Sequence, residues 1–245
     1  MTTDKRVTPP PIRERTAAIQ KSIESADRFP LAYFDSRRYV QHNLALGDGF
    51  GALLEFLDSL PAGSSKVRPL RTFQDGDISF AHLEYFLAPL GEVVGFEVHR
   101  WEDGRIVEHW DNLQPLAGPG MTDGTVERGD PARTDETKQV AAAFVRSLLQ
   151  GQPPQQVAAG YVEHHPAADP TRPWWFSAAD VEYTTLHRTL GEGDFCLTMA
   201  EGRLAGEHTA FYDLFRVEDG RIAEHWDVLE RIPPRDQWRN DNGKF

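Results

Sequence analysis

The chain has a single cysteine, Cys196, among 245 residues. That excludes an intramolecular disulfide framework and a cysteine-built zinc site, and it suits a reducing compartment; the expected location is cytoplasmic. Long apolar runs are missing too. No stretch approaches the roughly 18 apolar residues of a spanning helix, and the opening Met-Thr-Thr-Asp-Lys-Arg, followed by Pro9, Pro10 and Pro11, lacks the apolar core of a signal peptide. No membrane partner is expected. Basic charge is scarce: 26 Lys and Arg stand against 38 Asp and Glu, a net charge of −12. With no positive field for phosphate backbones, nucleic acid is excluded as the expected partner.

What is present is a folded composition, 40% hydrophobic and 26% charged, in a chain long enough for two domains. It is also duplicated. Arg100-Trp-Glu-Asp-Gly-Arg-Ile-Val-Glu-His-Trp-Asp-Asn-Leu-Gln114 recurs as Arg216-Val-Glu-Asp-Gly-Arg-Ile-Ala-Glu-His-Trp-Asp-Val-Leu-Glu230, with eleven of fifteen positions identical. Arg71 to Asp77 matches Arg188 to Asp194, and Tyr39 to Asn43 matches Tyr161 to His165, in the same order. Units this long are domains, not solenoid repeats of about 20–50 residues. The Pro- and Gly-containing stretch between them reads as a connection. The expected division is 12–117 and 135–233 as domains, 118–134 as linker and 234–245 as a tail.

Each unit opens with helical periodicity: Ile12, Ile19 and Ile23 in the first, Val140, Phe144 and Leu148 in the second, with Gly151 as a stop. Alternating strands follow. Glu102-Asp103-Gly104 predicts a hairpin between 93–101 and 105–114, because Asp-Gly tolerates positive φ at both turn positions. Period two then sets Val107, His109, Asp111 and Leu113 on one strand face, and Ala223, His225, Asp227 and Leu229 on its counterpart. Helices followed by long meandering strands predict an α+β domain whose curved sheet wraps a helix and leaves a pocket.

The Tyr-Val-Gln-His-Asn segment, the Asp-Leu-Phe-Arg-Val-Glu-Asp-Gly-Arg-Ile-Ala-Glu-His-Trp-Asp strand pair and the closing Asn240-Asp-Asn-Gly-Lys-Phe245 resemble the SnoaL-like polyketide cyclases of the nuclear transport factor-like superfamily. The resemblance covers most of both halves. It implies two tandem cone-shaped domains, each a strongly bent antiparallel sheet closed by N-terminal helices around a pocket. It also implies cofactor-free acid/base chemistry of the intramolecular aldol type on a carbonyl-containing small molecule. By the same resemblance Asp213 is the first candidate for the general acid/base, and His187, before Arg188, matches the family's His-Arg.

Such chemistry needs a base beside an acidic C–H and an acid for the oxygen that becomes negative, and a carboxylate or imidazole in an apolar pocket can be tuned to either task. Asp213 shares its strand face with Thr209, Phe211 and Phe215. The first unit has Glu97 and His99 at the corresponding places, Leu70 where the second has His187, and His82 where the second has Met199. His109 with Asp111, and His225 with Asp227, are read either as pocket groups or as ties between sheet and helix or between domains. His42 with Asn43, and His164 with His165, fall where a helix gives way to a loop, as turn residues or as a pair at the pocket mouth. Tyr161 is a core aromatic or a ligand-facing phenol. Trp174 and Trp175 roof the second pocket or anchor an interface.

The histidines show no tight His-x-x-x-His or His-x-His spacing, and the resemblance implies neither a metal nor another cofactor, so none is expected. Two readings remain: an enzyme whose chemistry lies mostly in the second unit, or a tandem that holds a small hydrophobic ligand without turning it over. In either, the two halves would pair as an intramolecular pseudo-dimer, with further self-association left open.

Overall fold

The computed structural model describes residues 9–25, 27–61, 63–88, 90–153, 156–166, 174–176 and 180–245. It contains two α+β domains in tandem. The first runs α1 (Ile12–Ser22), β1 (Val40–Gln41), α2 (Gly49–Ser59), β2 (Lys66–Asp75), β3 (Ile78–Leu87), β4 (Gly91–Glu102) and β5 (Arg105–Pro115). The second runs α3 (Thr134–Leu149), β6 (Val157–Glu163), β7 (Val181–Glu192), β8 (Phe195–Leu204), β9 (Glu207–Glu218) and β10 (Arg221–Arg231). The two sheets share one topology, β1-β5-β4-β3-β2 and β6-β10-β9-β8-β7.

Local chemistry accounts for most of these elements. Pro11 precedes α1, where a fixed φ and a missing N–H cost nothing, and Glu14 complements the positive helix end. Asp103 and Gly104 at the β4–β5 turn have φ of 51° and 75°, and Asp219 and Gly220 at the β9–β10 turn have 49° and 70°. Positive φ at both central residues twists a hairpin with the natural hand of its strands.

Two expectations are corrected. The sheets are mixed rather than wholly antiparallel, because β1 and β6 pair in parallel with β5 and β10. The Tyr39–Asn43 and Tyr161–His165 segments are therefore strand and strand end, not helix ends; the His42 and His164 amides donate to the His109 and His225 carbonyls at 2.9 Å each. The second domain has one α-helix among the described residues, α3, where the first has two.

Each sheet has two buried faces. One packs on the domain's own helices. The other meets the opposite sheet in a common core that holds Phe73, Phe80, Phe96 and Trp110 from the first domain and Phe195, Tyr212, Leu214 and Trp226 from the second. At about 1.5–3 kcal/mol for each large apolar side chain removed from water, this layer ties the halves strongly. Polar contacts cross it reciprocally. The Arg188 guanidinium lies 4.3 Å over the Trp110 ring and that of Arg71 lies 4.2 Å over Trp226, while Asn112 Nδ2 donates to the carbonyls of Ala210 and Val228. Residues 118–134 run along this contact, with Met121 buried in the shared core. No helix among the described residues is long and apolar enough to cross a membrane.

Candidate functional site

A cavity of about 330 Å³ opens between α1, α2 and the inner face of the first sheet. Its walls are apolar: Ile19 and Ile23 from α1, Leu53, Phe56 and Leu57 from α2, with Leu31, Phe34, Leu46, Leu87 and Leu113. Its polar groups gather on the sheet, where Tyr85, Glu97, His99, His109 and Asp111 alternate inward on β3, β4 and β5, with Tyr39 and Asn43 beside them.

The floor is one hydrogen-bonded chain. His109 Nε2 lies 2.5 Å from Glu97 Oε2, diagonally across the β4–β5 ladder, and Tyr85 Oη donates to Glu97 Oε1 at 2.7 Å. His109 Nδ1 donates to the Gln41 amide oxygen at 2.9 Å, which also accepts from the Asn43 amide. An amide oxygen only accepts, so Nδ1 keeps its proton, and protonation of Nε2, which faces Glu97, makes the ring an imidazolium. Burial opposes charge on His109, but the facing Glu97 carboxylate outweighs it and raises the imidazole above its ordinary range. Asp111, directly opposite Glu97, accepts from Asn43 Nδ2 at 2.7 Å; burial lifts its carboxyl to about 6, with Lys244 and His109 pulling the other way. His99 stacks on His109 at 4.9 Å, and burial beside that ring holds it well below the usual histidine range.

The second domain repeats this framework in a closed form. Asp213, His225 and Asp227 stand where the first domain has Glu97, His109 and Asp111, and Tyr183 Oη binds Asp213 at 3.1 Å as Tyr85 binds Glu97. The position of Gln41 holds Glu163. Its carboxylate accepts from Tyr161 Oη, the amides of His164, His165 and Trp174, and His225 Nδ1. His225 thus lies between two carboxylates, Glu163 at 2.8 Å and Asp213 at 3.2 Å, which outweigh burial and take its pKa to about 10. Burial also lifts Asp213, since Glu163 already balances the imidazolium. Asp227 pairs with His165 at 2.8 Å rather than with His225.

Trp174 and Trp175 fill the space over this cluster. Trp174 stacks on His165 at 4.4 Å and Trp175 lies 4.3 Å from His225, packed with Phe144, Phe211 and Phe215 in the domain's own core. The first domain has α2 and an open cavity in the corresponding region.

The remaining candidates lie outside either cluster. His42 stacks on Trp110 and binds Glu108 at 3.0 Å, and His164 stacks on Trp226 and binds Glu224 at 3.3 Å. Both are on the interdomain side. His82 is there too, stacked on Phe96 and accepting from Arg71 Nη1 at 3.0 Å; burial and that guanidinium keep it neutral. His187 pairs with Glu201 and stacks on Phe245, apart from Asp213.

Glu97, His99 and His109 also place possible metal-ligating atoms within 4.8 Å of one another, as do Asp213, His225 and Asp227. The first set has two imidazoles stacked only 21° from parallel, so their in-plane lone pairs do not converge on one ion. In the second, both ring nitrogens of His225 are engaged by carboxylates.

No family model matches the chain, and no curated protein does. Among solved structures it is similar to an NTF2-like protein of unknown function from Cytophaga hutchinsonii, at 9% identity and a TM-score of 0.39, covering 44% of this chain and 94% of that one. It is similar also to a putative ketosteroid isomerase from Kribbella flavida, at 15% and 0.34, covering 42% and 84%. A third is an LEH-like epoxide hydrolase from M. tuberculosis, at 18% and 0.32, covering 40% and 85%.

Sequence reasoning passed over Gln41, Tyr85, Glu163 and Lys244. Gln41 and Glu163 were within reach, since they are the third residues of the paired Tyr-Val-Gln and Tyr-Val-Glu segments and differ by one charge. Tyr85 was not, because its counterpart Tyr183 comes from a different strand of its sheet.

Proposed function

We propose that the first domain is a cofactor-independent acid/base site for a compact, uncharged, carbonyl-containing small molecule. The observation that carries it is the Glu97–His109 pair on the floor of an apolar cavity, set against its counterpart in the second domain, which is sealed under two tryptophans. The cavity lies at the small end of the roughly 300–1,000 Å³ range of ligand pockets. Among the described residues that line it there is no lysine or arginine, and the His109 imidazole already faces Glu97, so a substrate carboxylate or phosphate would find no free cation there.

In this reading Glu97 removes a proton from the carbon next to the carbonyl. The C–H electron pair moves into the carbonyl, making an enolate, and the proton stays on the Glu97 carboxyl, while His109, already protonated on both ring nitrogens and held by Gln41, remains its hydrogen-bond partner. Asp111 in its acid form donates to the oxygen that becomes negative. His99 Nδ1, buried without a protein partner among the described residues, offers a further hydrogen bond. Return of the proton elsewhere gives isomerisation, and attack of the enolate on a second carbonyl gives aldol closure.

The second domain is read as scaffold: it takes the place that a second copy would occupy, making the chain a covalent pseudo-dimer. The reciprocal Arg188–Trp110 and Arg71–Trp226 contacts support this.

The test is NMR-detected exchange of solvent deuterium into a panel of activated ketones and β-keto esters, β-tetralone among them. Exchange is expected with wild type, at least 100-fold slower exchange with Glu97→Gln, and wild-type exchange with Asp213→Asn in the fraction that folds. Exchange lost in Asp213→Asn and kept in Glu97→Gln would move the site to the second domain. No exchange with any compound would favour the binding protein instead.

A further inference from the structure

The segment Arg239–Phe245 follows the second domain in sequence but makes most of its polar contacts with the first, while Phe245 stacks on His187 of the second. The Arg239 amide donates to the Leu44 carbonyl at 2.9 Å. Asn240 Nδ2 reaches the carbonyls of Asn43 and Leu46 at 2.8 and 3.0 Å. Asn242 Nδ2 binds the Gln41 carbonyl at 2.9 Å and Asp48 Oδ1 at 2.7 Å. Asp48 is the residue before α2, yet its carboxylate makes no cap contact and is taken by Asn242 and the Gln41 amide. Finally Lys244, only 4% exposed, donates to the Asp111 carbonyl at 2.8 Å, pairs with Glu230 at 3.0 Å and lies 3.8 Å from Asp111 Oδ1.

The contacts of Arg239, Asn240 and Asn242 fall on one stretch, residues 41–48, which carries Gln41, Asn43, Ala45 and Leu46 into the site and leads into α2, the cavity wall. We propose that Arg239–Phe245 is a latch supplied by the second domain. Asn240 and Asn242 hold the rim of the first domain's cavity, and Lys244 is a positioning residue that sets the charge of the Asp111 carboxyl on its floor.

The charge balance follows from the neighbours. Asp111 is faced by Lys244 from the latch, His109 from its own strand, Glu97 from β4 and Glu230 from β10, with Asn43 as a neutral donor. Burial, Glu97 and Glu230 favour its acid form. Lys244 and His109 oppose them. Removing the lysine leaves Glu230 facing Asp111 without its counter-ion, so the Asp111 carboxyl must titrate higher. The inference rests on the proton-transfer reading for its use, but not for its test.

That test takes the full chain. Carbon-13 NMR of the Asp111 side-chain carboxyl, followed against pH, should show its midpoint rising by about one unit in Lys244→Met, a tenfold change in proton affinity, and returning to within a few tenths of a unit in Lys244→Arg. An unmoved midpoint in Lys244→Met overturns the charge-setting role. Asn240→Ala keeps that lysine and tests the rim alone: amide hydrogen exchange of Ala45 and Leu46 should quicken at least tenfold, with the strands of both sheets unchanged. Wild-type exchange rates there overturn the latch. Neither readout needs turnover, so failure of the ketone assay and failure of the latch are separate results.

Discussion

The charge around the two histidines differs by one side chain. His225 has a carboxylate on each ring nitrogen, whereas His109 has one carboxylate and one amide, because Gln41 replaces Glu163. The first arrangement locks a charge in place. Its folded pKa of about 10 stands above the ordinary 6.5, so its contribution to stability is complete below about 6.5 and is lost as pH rises through about 10. Denaturant melts of wild type should lose stability over that window, and His225→Gln, already destabilised by on the order of 3–5 kcal/mol for the broken buried pairs, should show a flatter profile there. Asp111 should act at lower pH. If its acid form serves the enolate, deuterium exchange falls as pH rises through about 6, and Asp111→Asn, which keeps an N–H donor, should abolish that fall.

At the scale of elements, the two clusters differ in what lies over them: Trp174 and Trp175 cover that of the second domain, and α2 walls a cavity beside that of the first. Trp175→Ala removes a ring packed on Phe144, Phe215 and His225, and thermal or chemical melts should show a loss of about 3–5 kcal/mol without a change in exchange at the first domain. Much of the framework was legible beforehand. The Asp-Gly turns announced both hairpins, and period two alone set His109 and Asp111 on one face. The short strand β1 was not, because its two residues are extended only by pairing with β5, some 68 positions away. Nor could the choice of domain be read. Asp213 drew attention for its apolar neighbours, and those neighbours are what close it off, since its side chain is fully buried beneath Tyr183 and Trp175.

For the whole molecule, the shared core uses the sheet faces that a second chain would need. If the tandem is a self-contained pseudo-dimer, sedimentation velocity should give a single species of one-chain mass over a wide concentration range. A stable dimer would mean that another surface, outside this core, associates. The order of the chain also explains why Lys244 escaped notice: it is 133 positions from Asp111, and only the wrapping of one domain's end around the other joins them.

The fusion of two copies has a consequence in heredity. In a dimer of identical chains every substitution appears at both sites, so a change that improves one necessarily alters the other. Here position 41 can be glutamine while its twin at 163 remains glutamate, and each was free to mutate alone. One gene thus carries two versions of one repeated segment at once, free to differ at matching positions.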